Sequence, residues 1–259
     1  MKHYTVTQKI GLALVILIVG ITVVGIFYTP YDPNGMDALS KNLSPSLAHP
    51  FGTDNFGRDI FSRVMDGAKT TFLIALATVA IGVIVGGIVG AITGYFGGVV
   101  DEVLMRVNDI VASFPSILLA LVMVSVLGTG KYKIIWALGI VFIPSFARVV
   151  RSEYVTQKQL DYVKNARLMG ASHLRIMVSH MLPNTKHILL SSIAIGFNNA
   201  VLAEAGMSYL GLGVQPPDPS LGRMLSEAQT YLMTAPWYAL APGITIILTV
   251  LGFSLLVER

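Results

Sequence analysis

The chain contains no cysteine and little charge. Without cysteine it holds neither a disulfide nor a thiolate metal site. Asp, Glu, Lys and Arg make up 12% of its 259 residues against 54% apolar, whereas a soluble domain has about a quarter charged residues. So few charges cannot cover a water-soluble protein of this length. The net charge of +4 is small and gives no reason to expect nucleic acid. A phosphate loop is missing too: Gly67-Ala68-Lys69-Thr70 comes nearest to G-x-x-x-x-G-K-[ST] but lacks its spacing. His173, His180 and His187 are seven residues apart, about 10 Å per step along a helix, too far to share one metal. With no serine or cysteine hydrolase constellation either, we expect neither an enzyme nor a metal centre.

The sequence does contain long uncharged runs. A helix needs about 20 mainly apolar residues to cross the hydrocarbon core. Residues 10–28 form such a run, behind Lys2 and Lys9 in a short segment 1–9. It is longer than a signal-peptide core, and Tyr28-Thr29-Pro30-Tyr31 offers no small-residue cleavage site, so it reads as an uncleaved first span. Further runs cover 70–100 and 110–130. Residues 134–147 reach spanning length only if Arg148 snorkels. A fifth run starts near Ile188 and meets Glu204, and a sixth lies within 228–257 and contains Pro236 and Pro242. The expectation is an all-α integral membrane protein with about six transmembrane helices. Of 18 Lys and Arg, eleven fall on the side of the N-terminus, among them Lys2, Lys9, Arg106, Arg148 and Arg259. That excess puts the N-terminus and the polar segment 151–187 in the cytoplasm, and segments 29–69 and 205–235 outside.

Four features stand out. Gly82, Gly86, Gly90, Gly94 and Gly98 recur at every fourth position, a stripe where another backbone can approach closely. The partner is either a helix of this chain or a related second subunit. Glu153–Met169 reads as a helix, Gly170-Ala171-Ser172 as a turn and His173–Leu182 as a second helix, with Ser172 as its N-cap and Pro183 at its end. Apolar residues alternate there with Lys164, Arg167 and Arg175. The segment either lies on lipid headgroups or is a knob that takes force from a soluble partner. In HPFGTDNFGRDIFSR (49–63), Gly52 and Gly57 permit tight turns, while Asp54, Arg58 and Asp59 supply hydrogen-bonding groups for a plug over the span ends. Glu204 is an ionisable group in a span, which either lines a path or has a structural partner. Asn198 and Asn199 lie one to two turns before it and could share its polar face.

YVKNARLMGASHLRIMVSHMLPN, Tyr162 to Asn184, resembles the "EAA" loop of ABC-importer permeases. Gly170, Ala171, Leu182 and Pro183 match. The Glu-Ala-Ala positions hold Lys164, Asn165 and Ala166, so only the last agrees. That departure suits the peptide-type subclass, where the glutamate is commonly missing. HPFGTDNFGRDIFSR, GMSYLGLGVQPPDPSLGRML (206–225) and VDEVLMRVNDIVASFP (100–115) resemble C-type permeases of the dipeptide, oligopeptide and nickel importers. The resemblance covers nearly the whole chain. Relatives usually continue past the last span with a short basic tail, whereas this sequence stops at Val257-Glu258-Arg259, which leaves any contact of such a tail in doubt.

The resemblance implies that residues 70–259 form an ABC permease domain in a bacterial inner membrane, half of a translocation path. Its coupling loop would be 151–187, with Ala166, Arg167, Gly170, Ala171, Ser172, Leu182 and Pro183 at the ATPase contact. It implies a homologous B-type permease, two ATPase subunits carrying ATP and Mg, and an extracytoplasmic substrate-binding protein, which the 49–63 motif would meet if it is not a plug. Short peptides are the expected cargo, with nickel or another opine-type metal chelate as the alternative. A gradient-driven secondary transporter, which belongs to a different class, often shows inverted repeats and midplane charges. Here there is no visible repeat and only Glu204. A membrane scaffold would have no use for so long a polar segment at 151–187.

Overall fold

The computed structural model describes residues 5–257, so Lys2 and Glu258-Arg259 lie outside the described residues. Helix α1, Val6–Phe27, starts in a capping box. The Gln8 N–H donates to the Thr5 hydroxyl and the Thr5 N–H to the Gln8 side chain, satisfying two otherwise orphan donors. Its 22 residues rise about 33 Å, enough for a hydrocarbon core of about 30 Å. Helix α2, Ile60–Phe96, begins ten residues before the uncharged run. Asp59 accepts from both the N–H and the hydroxyl of Ser62 and so starts the helix in polar sequence. Gly97 and Gly98, with φ of +70° and +58°, turn the chain into α3, Gly98–Ala112.

The run read as one span over 110–130 is broken. Helix α4, Ser116–Leu127, follows α3 after a bend of 86°. Pro115 lies at the break; it lacks an N–H and disfavours helical backbone in the residue before it. Conversely, the weak run 134–147 belongs to a longer helix, α5, Lys131–Gln157. Helix α6, Asp161–Leu168, and the single turn α7, His173–Arg175, follow. The helix expected over 153–169 is therefore two helices, parted at 158–160. Pro183 does not end the next one. A π-helical stretch, Ile176–Met181, leads directly into α8, Leu182–Tyr209. Its wider turn is seen where the Leu182 N–H donates to Met177 O, five residues back, and relaxes the crowding a proline imposes on a tight α-turn. The short α9, Leu221–Ala228, and α10, Trp237–Val257, complete the chain. Among the described residues five helical stretches are long and apolar enough to cross a membrane (α1, α2, α5, His173–Tyr209 and α10), and the α3–α4 pair, bent by 86°, is apolar enough to be either a broken sixth span or a re-entrant loop. Among the described residues the one extended pairing is an isolated bridge, Thr53–Asp59.

The chain divides into two compact units, Met1–Leu76 with Leu121–Ile135 and Phe197–Arg259, and Ala77–Ala120 with Trp136–Gly196. In the first, α1 packs on α10. A Cβ on Gly11 would lie 2.8 Å from Leu255 Cβ and 2.9 Å from Gly252 O. In the second, the glycine stripe of α2 lies along α5. A Cβ on Gly82 would lie 2.9 Å from the Phe146 ring, on Gly86 2.6 Å from Ile143 O, and on Gly94 2.7 Å from Arg151 O, while one on Gly90 would strike Ala147 O. The stripe is thus filled by a helix of this chain, and Gly98, beyond the end of α2, has open space around it. Two ion pairs brace α3 against α5: Arg151 donates to both oxygens of Asp101 at 2.6 Å, and Arg148 to Asp109 at 2.7 Å.

Gly86 and Gly87 give a direct test, because a Cβ on Gly87 would meet nothing within 4 Å. Helix propensity favours both Gly→Leu changes equally, so only packing separates them. Gly86→Leu should lower stability by about 1–3 kcal/mol, as overpacking does, and Gly87→Leu should be neutral or slightly stabilising. Thermal unfolding in detergent reads the difference.

Candidate functional site

Two polar assemblies stand out, one in each unit. The first is built on segment 28–59. Gly52 and Gly57 take φ of +74° and +78°. Neither position has room for a side chain: a Cβ on Gly57 would strike Asp37 O, and one on Gly52 would lie 2.8 Å from the Trp237 ring. These turns aim the Asp54 carboxylate back at its own backbone. It accepts from Phe56 N–H at 2.8 Å, Arg58 N–H at 2.9 Å and Arg58 Nε at 2.6 Å. Asp59 holds His49 Nδ1 at 2.9 Å besides Ser62. Arg58 and Arg63, both buried, then converge on a single carboxylate far along the chain. Arg58 Nη2 reaches Glu227 Oε2 at 3.1 Å and Arg63 Nη2 reaches it at 3.3 Å. Tyr238 OH donates to the same oxygen at 2.8 Å and Arg223 Nε to the other at 3.1 Å. The cluster clasps segment 28–59, the start of α2, α9 and the start of α10 together.

Burial tends to raise the Glu227 pKa. The charges of Arg63 and Arg58 and the hydrogen bonds from Tyr238 and Arg223 outweigh it and hold the carboxyl below its ordinary range. Burial likewise tends to lower the Arg58 pKa, but Asp54 and Glu227 prevail and raise it. Gly52, Asp54, Gly57, Arg58 and Asp59, expected as one dense element, do come together. Sequence reasoning missed Arg63, Arg223, Glu227 and Tyr238. The available signal was sparsity: with 14 acidic residues in the whole chain, a carboxylate beside an apolar span needs a cationic partner.

The second assembly is the 151–187 loop. Its base is an apolar cluster of Tyr95, Val150, Tyr154, Val163, Ile176, Met177 and Met181, with Ala166 and Ala171 packed against it. Helix α6 ends in a Schellman motif. Gly170 takes φ +78°, the Ala171 N–H donates to Ala166 O at 3.1 Å, and the Gly170 N–H to Arg167 O at 3.0 Å. That motif accounts for Ala166, Gly170 and Ala171 together. Ser172 caps the next turn by accepting from Arg175 N–H. Tyr154 OH donates to Met177 O at 2.9 Å, and Tyr95 OH pairs with His173 Nδ1 at 2.8 Å, with the Arg167 guanidinium over the Tyr95 ring. On this base stands an exposed tip. Leu168 is 85%, Met169 88% and Leu174 71% accessible, flanked by exposed Lys164, Arg167 and Arg175. Leu182 and Pro183 are exposed where α8 begins.

The Glu204, Asn198 and Asn199 side chains do not share a face. Successive residues of a helix turn by about 100°. Glu204, with no exposed surface, accepts from Ser208 at 2.6 Å. Asn198 reaches across to α10, donating to Val250 O at 3.1 Å and Ser254 Oγ at 3.0 Å. Asn199 is exposed.

An all-α chain of five spanning stretches and one bent pair, stapled by buried charges and carrying an apolar-tipped polar loop, defines a polytopic membrane protein. Residues 82–259 match the family model described as "Binding-protein-dependent transport system inner membrane component". The chain is 41% identical over 256 residues to the glutathione transport system permease protein GsiD of Escherichia coli O6:K15:H31 (strain 536 / UPEC), covering 98% of this chain and 84% of that protein. It matches GsiD of Shigella boydii serotype 4 (strain Sb227) to the same extent, and that of Shigella dysenteriae serotype 1 (strain Sd197) at 40% identity over the same length. The chain belongs to this family and is an ABC-importer permease of the peptide/nickel kind.

The clasp predicts an acid response. A carboxyl with a depressed folded pKa contributes stability that is present above its unfolded pKa, about 4.3 for Glu, and lost as pH falls through the folded value. Glu227→Gln should therefore cost about 3 kcal/mol at pH 7, as loss of a buried charge partner does. It should also flatten the fall of melting temperature below about pH 4. Thermal melts of both proteins across pH 3–7 measure the two effects.

Proposed function

We propose that this permease forms half of a translocation path for short peptides, and that the 151–187 loop carries the motion of partner ATPases into its spans. The exposed apolar tip Leu168-Met169…Leu174, set on a capped base packed against α2 and α5, carries this reading. Exposed large apolar side chains ringed by charge mark a protein contact, and the Schellman turn presents them rigidly. The chain itself does no catalysis. Two ATPases hold ATP and Mg, a homologous B-type permease supplies the other half of the path, and an extracytoplasmic binding protein delivers cargo to segments 29–69 and 205–235. The N-terminus lies in the cytoplasm, by the excess of Lys and Arg on that side. Glutathione, for which the relatives are named, is a tripeptide, which supports peptide over metal-chelate cargo. The nickel-type chelate is the alternative.

Uptake separates the possibilities. In cells expressing the importer, the double change Leu168→Asp with Leu174→Asp should cut uptake by about tenfold, since contact hot spots contribute about 2 kcal/mol or more. The amount of permease in the membrane should not change, because both side chains are exposed. Normal uptake by this variant would remove the loop from coupling. Labelled glutathione and dipeptides should enter through the importer and a nickel chelate should not, with the reverse result assigning the cargo to metal.

A further inference from the structure

We infer that helix α3 lies flat in the membrane surface, with a face of valines and isoleucine sunk among the lipid acyl chains. Successive helical residues turn by about 100°. Around that wheel Val99, Val100, Val103, Val107 and Ile110, all exposed, fall within an arc of about 100°. Glu102, Arg106 and Asp109, exposed as well, fall within a separate arc of about 60°. The remaining side carries buried Asn108 and the Asp101 carboxylate that Arg151 of α5 holds. The two exposed arcs do not mix, and each runs along most of the helix. A boundary between apolar and polar surface that follows the axis puts that axis parallel to the membrane plane. In a crossing helix the boundary would cut across the axis near each end.

Three further observations select lipid as the partner. Helix α4 has 12 residues and no charge, and it follows α3 at 86°. A helix so apolar runs into the hydrocarbon, which leaves α3 lying across it. Upright, α3 would instead draw Asp101, Glu102, Arg106 and Asp109 through the hydrocarbon, where charge is costly. Helices in a bilayer also meet one another through small residues, as this chain does at Gly82, Gly86 and Gly90 of α2 and Gly11 of α1. The apolar arc of α3 holds no Gly, Ala or Ser, so it suits mobile acyl chains and not a close-packed helix of the sister permease. Asp101 and Asp109 are paired with Arg151 and Arg148, and Glu102 and Arg106 oppose each other in sign. The attraction to the bilayer therefore rests on apolar area and not on headgroup charge. Helices α1 and α2 cross in turn, so α3 lies on the side of the N-terminus, which is cytoplasmic in the orientation proposed above. Its two ion pairs to α5 make the membrane contact set the depth of the α5 end that leads into the 151–187 loop.

The chain has no native cysteine, so a nitroxide on each of the single variants Val99→Cys, Val103→Cys, Val107→Cys and Ile110→Cys reports depth. The intact importer complex is placed in vesicles of phosphatidylethanolamine and phosphatidylglycerol. Power saturation then compares collisions with oxygen, which concentrates among acyl chains, and with chromium oxalate, which stays in water. At all four sites oxygen collisions should exceed those of chromium oxalate at least fivefold. The four depths should agree within about 4 Å and lie about 5–10 Å into the headgroup and acyl boundary. Glu102→Cys and Arg106→Cys should show the reverse preference. A crossing helix would spread the four depths over about 16 Å, the rise from Val99 to Ile110, and that result overturns the inference. Exclusion of both probes from Val103 and Val107 would mark a packed protein contact, and a chromium oxalate excess there a water-filled path. Either of those overturns it too. The labelled side chains are all exposed, so the cysteines should leave folding unchanged, and the readout does not depend on which cargo the importer carries.

Discussion

Inside a bilayer, helices gain nothing by hiding apolar side chains from lipid, so their association rests on close packing and on polar contacts. This chain obeys that constraint by bringing backbones together at glycines. Gly86, Gly90 and Gly94 admit α5 so closely that its carbonyls occupy the space a Cβ would need, and at Gly82 the Phe146 ring does so. Gly11 brings α1 against the Gly252 carbonyl of α10 in the same way. Neighbouring glycines such as Gly87 and Gly206 meet nothing, so the geometry, and not the residue type, decides which glycine holds the fold.

Charge is scarce, and much of it is spent at two places. In the clasp three guanidinium groups meet two carboxylates, with Arg58, Arg63 and Asp54 buried and Arg223 and Glu227 partly so, a state made tolerable by the several donors on Asp54 and Glu227. In the second unit, Asp101 and Asp109 neutralise Arg151 and Arg148 between α3 and α5. The 151–187 loop differs in kind. Its base is closed by Tyr154, Tyr95 and a Schellman turn, while Leu168, Met169 and Leu174 face outward without cover. Rigid support beneath an uncovered apolar tip suits a part that transmits a push.

Prolines show where local reasoning fails. Pro115 breaks a run, as its chemistry predicts, whereas Pro144 and Pro242 sit inside α5 and α10 and Pro183 follows a π-turn without stopping the helix. The restraint on the chain is the same each time, and the difference is the local backbone, at Pro183 the wider turn before it. Glu204 and Asn198 teach the same lesson. Both were visible as polar groups in an apolar helix, yet one bonds within α8 and the other reaches α10.

The sequence by itself determined what could be read from composition and period. It showed an all-α membrane chain, about six spans, the glycine stripe, the Ser172 cap, and the loop and motifs that mark the family, because hydropathy, helical spacing and turn chemistry act over a few neighbouring residues. Only the tertiary structure decided that the stripe receives α5 and that Arg58 and Arg63 share Glu227 more than 160 residues away. Those outcomes depend on which distant surfaces meet, and a one-dimensional pattern carries no term for contact between residues so far apart.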